Sequence, residues 1–158
     1  MGMDVYGLSP KGGDDQSPGR YFRANVWGWR PIHILINIIN DKENLGIDTS
    51  RFSYNEGDGI KDQATCDILA DHLEKLIFFH PYLKDDDDRM YIALDSWVDE
   101  SGEFIDSDEL QNPPERGTIM FTGIVSGGRL IYPSYSASKK LIVNFIEFLR
   151  NCGGFEIL

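Results

Sequence analysis

At 158 residues, 41% of them hydrophobic and 12% aromatic, the chain is too apolar for a disordered segment and long enough to bury a core without disulfides or metal. Its 15 Lys and Arg against 26 Asp and Glu give a formal charge of −11, which disfavours direct binding to a phosphate backbone. The same charge suits either a solvated acidic surface or an acidic face that mimics nucleic acid in a partner's basic groove.

In chain order, Asp4 to Leu8 alternates polar and apolar residues and predicts a short strand before Ser9-Pro10. Lys11 to Arg20 is rich in Gly, Asp, Ser and Pro and reads as a mobile loop. Tyr21 to Arg30 is dense in aromatics and arginine. Pro31 suits the first turn of a helix, whose face would carry Ile32, Leu35, Ile36 and Ile39; the isoleucines also permit a buried strand, but the proline and the i, i+3, i+4, i+7 spacing favour the helix. Asp41 to Ser53 reads as a polar connection. Asp58, in the Asn55–Gly59 turn, is the expected cap of a helix from Gly59 to Phe79, with Ala64, Ile68, Leu69, Leu73, Leu76 and Ile77 on one face and His80-Pro81 at its end.

The stretch from Lys84 to Pro114 reads as an acidic, irregular insertion, although Arg89 to Val98 has the composition of a strand. Thr118 to Val125 and Arg129 to Tyr132 suit a hairpin around Ser126-Gly127-Gly128. The last helix repeats Leu141, Ile142, Phe145, Phe148 and Leu149 at helical spacing, with Ser136 or Ser138 as cap and Gly153 as its left-handed stop. Phe155 to Leu158 returns as a strand. The expected fold is α+β over 1–158, a small mixed or antiparallel sheet packed against about three helices.

Cys66 and Cys152 lie far apart in the chain, in no metal-binding spacing, and read as buried thiols suited to a reducing compartment. Pro31 to Ile39 is shorter than the roughly 20 residues a membrane span needs, and Met1 to Tyr6 has no basic-then-apolar leader. A cytoplasmic protein without a membrane anchor is expected.

The opening, Met1 to Gly7 with Tyr21-Phe22-Arg23-Ala24-Asn25-Val26-Trp27-Gly28-Trp29-Arg30-Pro31, resembles that of an uncharacterised family of small bacterial and phage proteins. The Asn55–Gly59 turn and the ending Phe145 to Ile157 are similar to that family too. The resemblance implies a bacterial or phage origin and an accessory role. It brings no catalytic residues.

Physically, the opening motif interleaves arginines with aromatics. Arg23, Asn25, Trp27, Trp29 and Arg30 together suit an anionic ligand, because guanidinium stacks on rings and pairs with phosphate or carboxylate. The competing reading places the aromatics in the core and pairs the arginines with the chain's own carboxylates. Asp85, Asp86, Asp87 and Asp88 are the second candidate surface, for a protein partner. Neither Asn55–Gly59 nor Asp95–Glu109 has the register of a calcium loop. His33, His72 and His80 have no metal-ligand spacing, and the nucleophile and phosphate-loop motifs are missing from the sequence. No cofactor is expected. The reading is a non-catalytic binding protein for a protein partner, in one version an acidic inhibitor of a nucleic-acid-binding host system, or for an anionic small molecule. The alternative is a small hydrolase or transferase with a dispersed Asp, Glu, His and Arg site.

Overall fold

Two strands of period-two burial open the chain. β1 (Gly2–Gly7) buries Met3 and Val5, and β2 (Tyr21–Asn25) buries Phe22 and Ala24, which leaves Asp4, Tyr21 and Arg23 on the other face. The strands are antiparallel, with Asp4 opposite Arg23. The computed structural model describes residues 2–12, 17–79 and 83–158, so the middle of the loop expected over Lys11–Arg20 lies outside the described residues.

α1 (Val26–Glu43) starts well before Pro31. Asn25 stays extended and its side chain accepts the Gly28 N–H at 2.9 Å, a stronger start signal than the proline. Pro31 therefore sits in the second turn and lacks a helical N–H to donate. Burial of Trp29, Pro31, Ile32, Leu35 and Ile36 on one face offsets that loss.

α2 (Gln63–Phe79) also begins elsewhere than expected. Asp62 serves its first turn, accepting the Thr65 N–H at 2.7 Å and the Thr65 hydroxyl at 3.0 Å. Asp58 belongs to another contact: its carbonyl accepts the Ile157 N–H at 2.8 Å, and its carboxylate lies 3.3 Å from Arg51. The buried stripe of α2 is Cys66, Leu69, Ala70, Leu73 and Ile77, while Ala64 and Ile68 are exposed. His80-Pro81, the expected stop, lies outside the described residues.

The acidic middle of the chain is more regular than its composition suggests. β3 (Arg89–Asp99) runs through it for 11 residues, β4 (Phe104–Asp106) returns antiparallel beside it, and a 3-10 turn at Ser107–Glu109 follows. Buried Met90, Ile92, Ala93, Leu94 and Trp97 explain why this stretch is a strand despite its charged flanks. β5 (Ile119–Met120) pairs with β3, and β6 (Ile124–Ser126) with β7 (Arg129–Ser138). The β6–β7 reversal uses Gly127 and Gly128 at φ 58° and 79°, values that suit a two-residue hairpin turn.

α3 (Lys139–Asn151) takes Ser138 as its cap, the hydroxyl accepting the Leu141 N–H at 3.1 Å; Ser136 stays in β7. After Cys152, Gly153 and Gly154 at φ 68° and 90° turn the chain into β8 (Phe155–Ile157).

The result is an α+β fold with three helices among the described residues and two antiparallel sheets where one was expected. The first sheet runs β2-β1-β8. The second runs β4-β3-β7-β6, with β5 also on β3. The main core lies where α3 meets the first sheet and α1: Phe145 stands 5.0 Å from Phe22, 5.8 Å from Trp29 edge-on, and 6.4 Å from Phe155. A smaller cluster of Ala93, Trp97, Ile105 and Ile131 lies at the other end of the second sheet, past a register shift between Ile92 and Trp97. No described helix is long and apolar enough to cross a membrane.

Candidate aromatic docking site

The helix start at Val26 decides what becomes of the arginine and tryptophan motif. Arg23 projects from β2 beside Asp4, at 3.5 Å, and is 61% exposed. Tyr21 donates its hydroxyl to the same Asp4 carboxylate, which raises the Tyr21 pKa because the phenol loses a favourable bond on ionising. Asn25 spends its side-chain oxygen on the Gly28 N–H. Trp29 is 1% exposed, and its indole N–H donates to the Phe52 carbonyl at 2.8 Å. Of the five motif residues, Trp29 is thus part of the core and Asn25 is a helix cap, so the five do not converge on one anion pocket.

Trp27 faces the other way. It lies in the first turn of α1, where it packs onto β7 and β4. Its ring centroid is 4.9 Å from Tyr135 and 5.7 Å from Phe104, nearly parallel to the latter at 27°. Arg30, one turn further along, places its guanidinium carbon 4.9 Å from the Tyr135 ring centroid, and its Nη1 donates to the Tyr135 hydroxyl at 3.1 Å. Trp27 keeps 38% of its surface exposed and Phe104 63%. The outcome is an exposed aromatic ledge built from three elements, with the Arg30 guanidinium held against Tyr135.

Sequence reading found Trp27 and Arg30 but missed Phe104 and Tyr135. Phe104 is the outward residue of a strand whose neighbour Ile105 is buried, and the short Phe104-Ile105-Asp106 alternation was the available signal. The same alternation puts Asp106 on the side of β4 that carries Phe104.

The aspartate run forms a turn that docks against the start of α3. The Asp88 carboxylate accepts the N–H groups of Lys84 and Asp85, each at 2.8 Å, and these bonds hold its pKa below the usual carboxylate value. The Asp88 and Asp86 carbonyls accept the N–H groups of Lys139 and Lys140 at 2.8 and 3.1 Å. Those are donors that the first turn of a helix leaves free. Asp85, Asp86 and Asp87 keep exposed side chains, whereas Asp88 is half-buried and committed to the turn.

Along α1, a polar stripe holds the connection that follows the helix. Asn40 exchanges two hydrogen bonds with Ile47, at 2.7 and 2.9 Å, and Asn37 accepts from the Thr49 hydroxyl. His33 Nε2 lies 3.0 Å from the Thr49 carbonyl, which can only accept, so Nε2 carries the proton and Nδ1 accepts from Ser53 Oγ at 3.2 Å. Burial lowers the His33 pKa and favours this neutral form; the Thr49 bond opposes the shift and the nearby Arg30 charge adds to it. His72 lies 3.9 Å from Glu43. Among the described residues no group of three or more His, Cys, Asp or Glu is placed to hold a metal ion.

Compared with family models, curated proteins and solved structures, the chain matches none of them.

Proposed function

We propose that this chain is a non-catalytic binding protein that docks a basic protein partner through Trp27 and Phe104. The observation that carries the reading is the exposed stack of Trp27 on Phe104 and Tyr135, in a chain with a formal charge of −11. Aromatic anchors supply most of the binding energy at such surfaces, and a negative field steers a positively charged partner toward them. Asp106 beside Phe104 and the exposed Asp85, Asp86 and Asp87 belong to that field. The anionic-ligand reading loses support, because Trp29 is buried and Arg23 and Arg30 already have partners.

A nucleic-acid-binding protein is the partner class that best fits the charge, since its basic groove already accepts an extended anion. The resemblance of the opening motif to small bacterial and phage proteins supports a bacterial setting for that encounter. The test is capture of partners from bacterial lysate by the tagged chain and by its Trp27→Ala/Phe104→Ala variant. A basic protein that duplex DNA displaces, and whose affinity falls roughly thirty-fold with the double variant, supports the proposal. Equal capture by both forms, or capture that duplex DNA leaves untouched, overturns it.

A second reading rests on the Ser53–His33 hydrogen bond, a hydroxyl beside a neutral base. Hydrolysis of a p-nitrophenyl ester that vanishes in Ser53→Ala would favour the enzyme. A rate equal to that of the variant would leave the pair its role of holding the loop.

A further inference from the structure

Cys66 and Cys152, 86 positions apart in sequence, bring their sulfurs to 3.7 Å from each other. Cys66 lies in the first turn of α2 and Cys152 caps α3, and both are fully buried. Gln63 clamps the two elements together. Its Oε1 accepts the Gly153 N–H at 2.6 Å and its Nε2 donates to the Leu149 carbonyl at 2.8 Å. These two bonds tie the elements together, and a disulfide needs the sulfurs to close from 3.7 Å to roughly 2.05 Å.

We propose that Cys66 and Cys152 are a modification site, forming a reversible disulfide when the protein meets a peroxide. Cys152 acts first. Its thiolate attacks one peroxide oxygen, breaking the O–O bond; with one proton the other oxygen leaves as water, and Cys152 becomes the sulfenic acid. The Cys66 sulfur then attacks the Cys152 sulfur, forming the S–S bond and expelling the hydroxyl, which takes up the Cys66 proton as a second water. Two thiols and one peroxide thus give one disulfide and two waters.

The contact between the two thiols favours one thiolate over two, and burial opposes ionisation of either sulfur. The same contact with Cys152, together with burial, pushes the Cys66 pKa up.

The experiment treats the folded protein with hydrogen peroxide at neutral pH, alkylates it under denaturing conditions, and maps peptides without reductant. The expected result is one cross-linked peptide pair containing Cys66 and Cys152, a loss of two hydrogens in mass, and a rise in Tm of roughly 10 °C that dithiothreitol reverses. Cys66→Ser should show no such rise, and its Cys152 should proceed to the sulfinic acid. Two freely alkylated thiols, a sulfinic acid in the wild-type chain without a cross-link, or the same Tm rise in Cys66→Ser would each overturn the proposal.

Discussion

The arginine and tryptophan strip of 21–30 and the aspartate run of 85–88 are opposite in charge and hydropathy, yet each divides in the same way. In the strip, Trp29 and Asn25 serve the fold while Trp27 and Arg23 face outward. In the run, Asp88 ties a turn together while Asp85, Asp86 and Asp87 face solvent. Side chains of one chemical type, one to three positions apart, do different jobs because the local backbone points them at different surroundings. Composition marks where a surface lies, and the backbone selects the residues that belong to it.

Mutations test this division most strongly at the tryptophans. Trp29→Ala should cost about 3–5 kcal/mol in stability, since it empties a core site and leaves the Phe52 carbonyl without its donor. Trp27→Ala should cost well under half as much while removing the docking anchor, and urea unfolding of both variants provides the comparison. If the two losses come out equal, Trp27 is structural and the ledge is not a site.

The aspartates should differ in the same sense with a smaller span. Asp88→Ala should lower Tm measurably, whereas changing Asp85, Asp86 and Asp87 together to Asn should leave it nearly unchanged. Because the folded pKa of Asp88 lies below its ordinary value of 3.8, its contribution is complete above the unfolded pKa and is lost as pH falls through the folded one. Acid titration of wild type against Asp88→Ala should show the two stabilities converging at low pH. Curves that stay parallel would assign the Tm loss to something other than the carboxylate.

Much of the fold was legible because it depends on local patterns. Alternation in β1 and the α3 repeat of Phe145, Phe148 and Leu149 are visible in a short window of sequence; α3 occurs where the pattern places it, and β1 overlaps the expected strand but begins at Gly2 instead of Asp4. The start of α1 was misplaced because Asn25 and Pro31 are both start signals, and a cap that satisfies a free N–H outweighs a residue that merely tolerates the first turn. For α2, Asp62 prevailed over Asp58, whose carbonyl is engaged by Ile157 from the far end of the chain. Of the candidate site, Trp27 and Arg30 were legible. Phe104 and Tyr135 were not, because nothing local relates them to a helix some eighty to a hundred positions earlier.

By itself, then, the sequence determined the α+β class, the helical and strand periods, the turns that need glycine, and an acidic surface. These follow from side-chain volume, backbone preference and charge, which each residue carries with it. Only the tertiary structure decided which tryptophan is buried, which aspartate holds a turn, that two distant thiols touch, and that three rings from three elements form one ledge. Those outcomes depend on how α1, α3 and the two sheets pack, and close packing is a property of the assembled elements that no single segment contains.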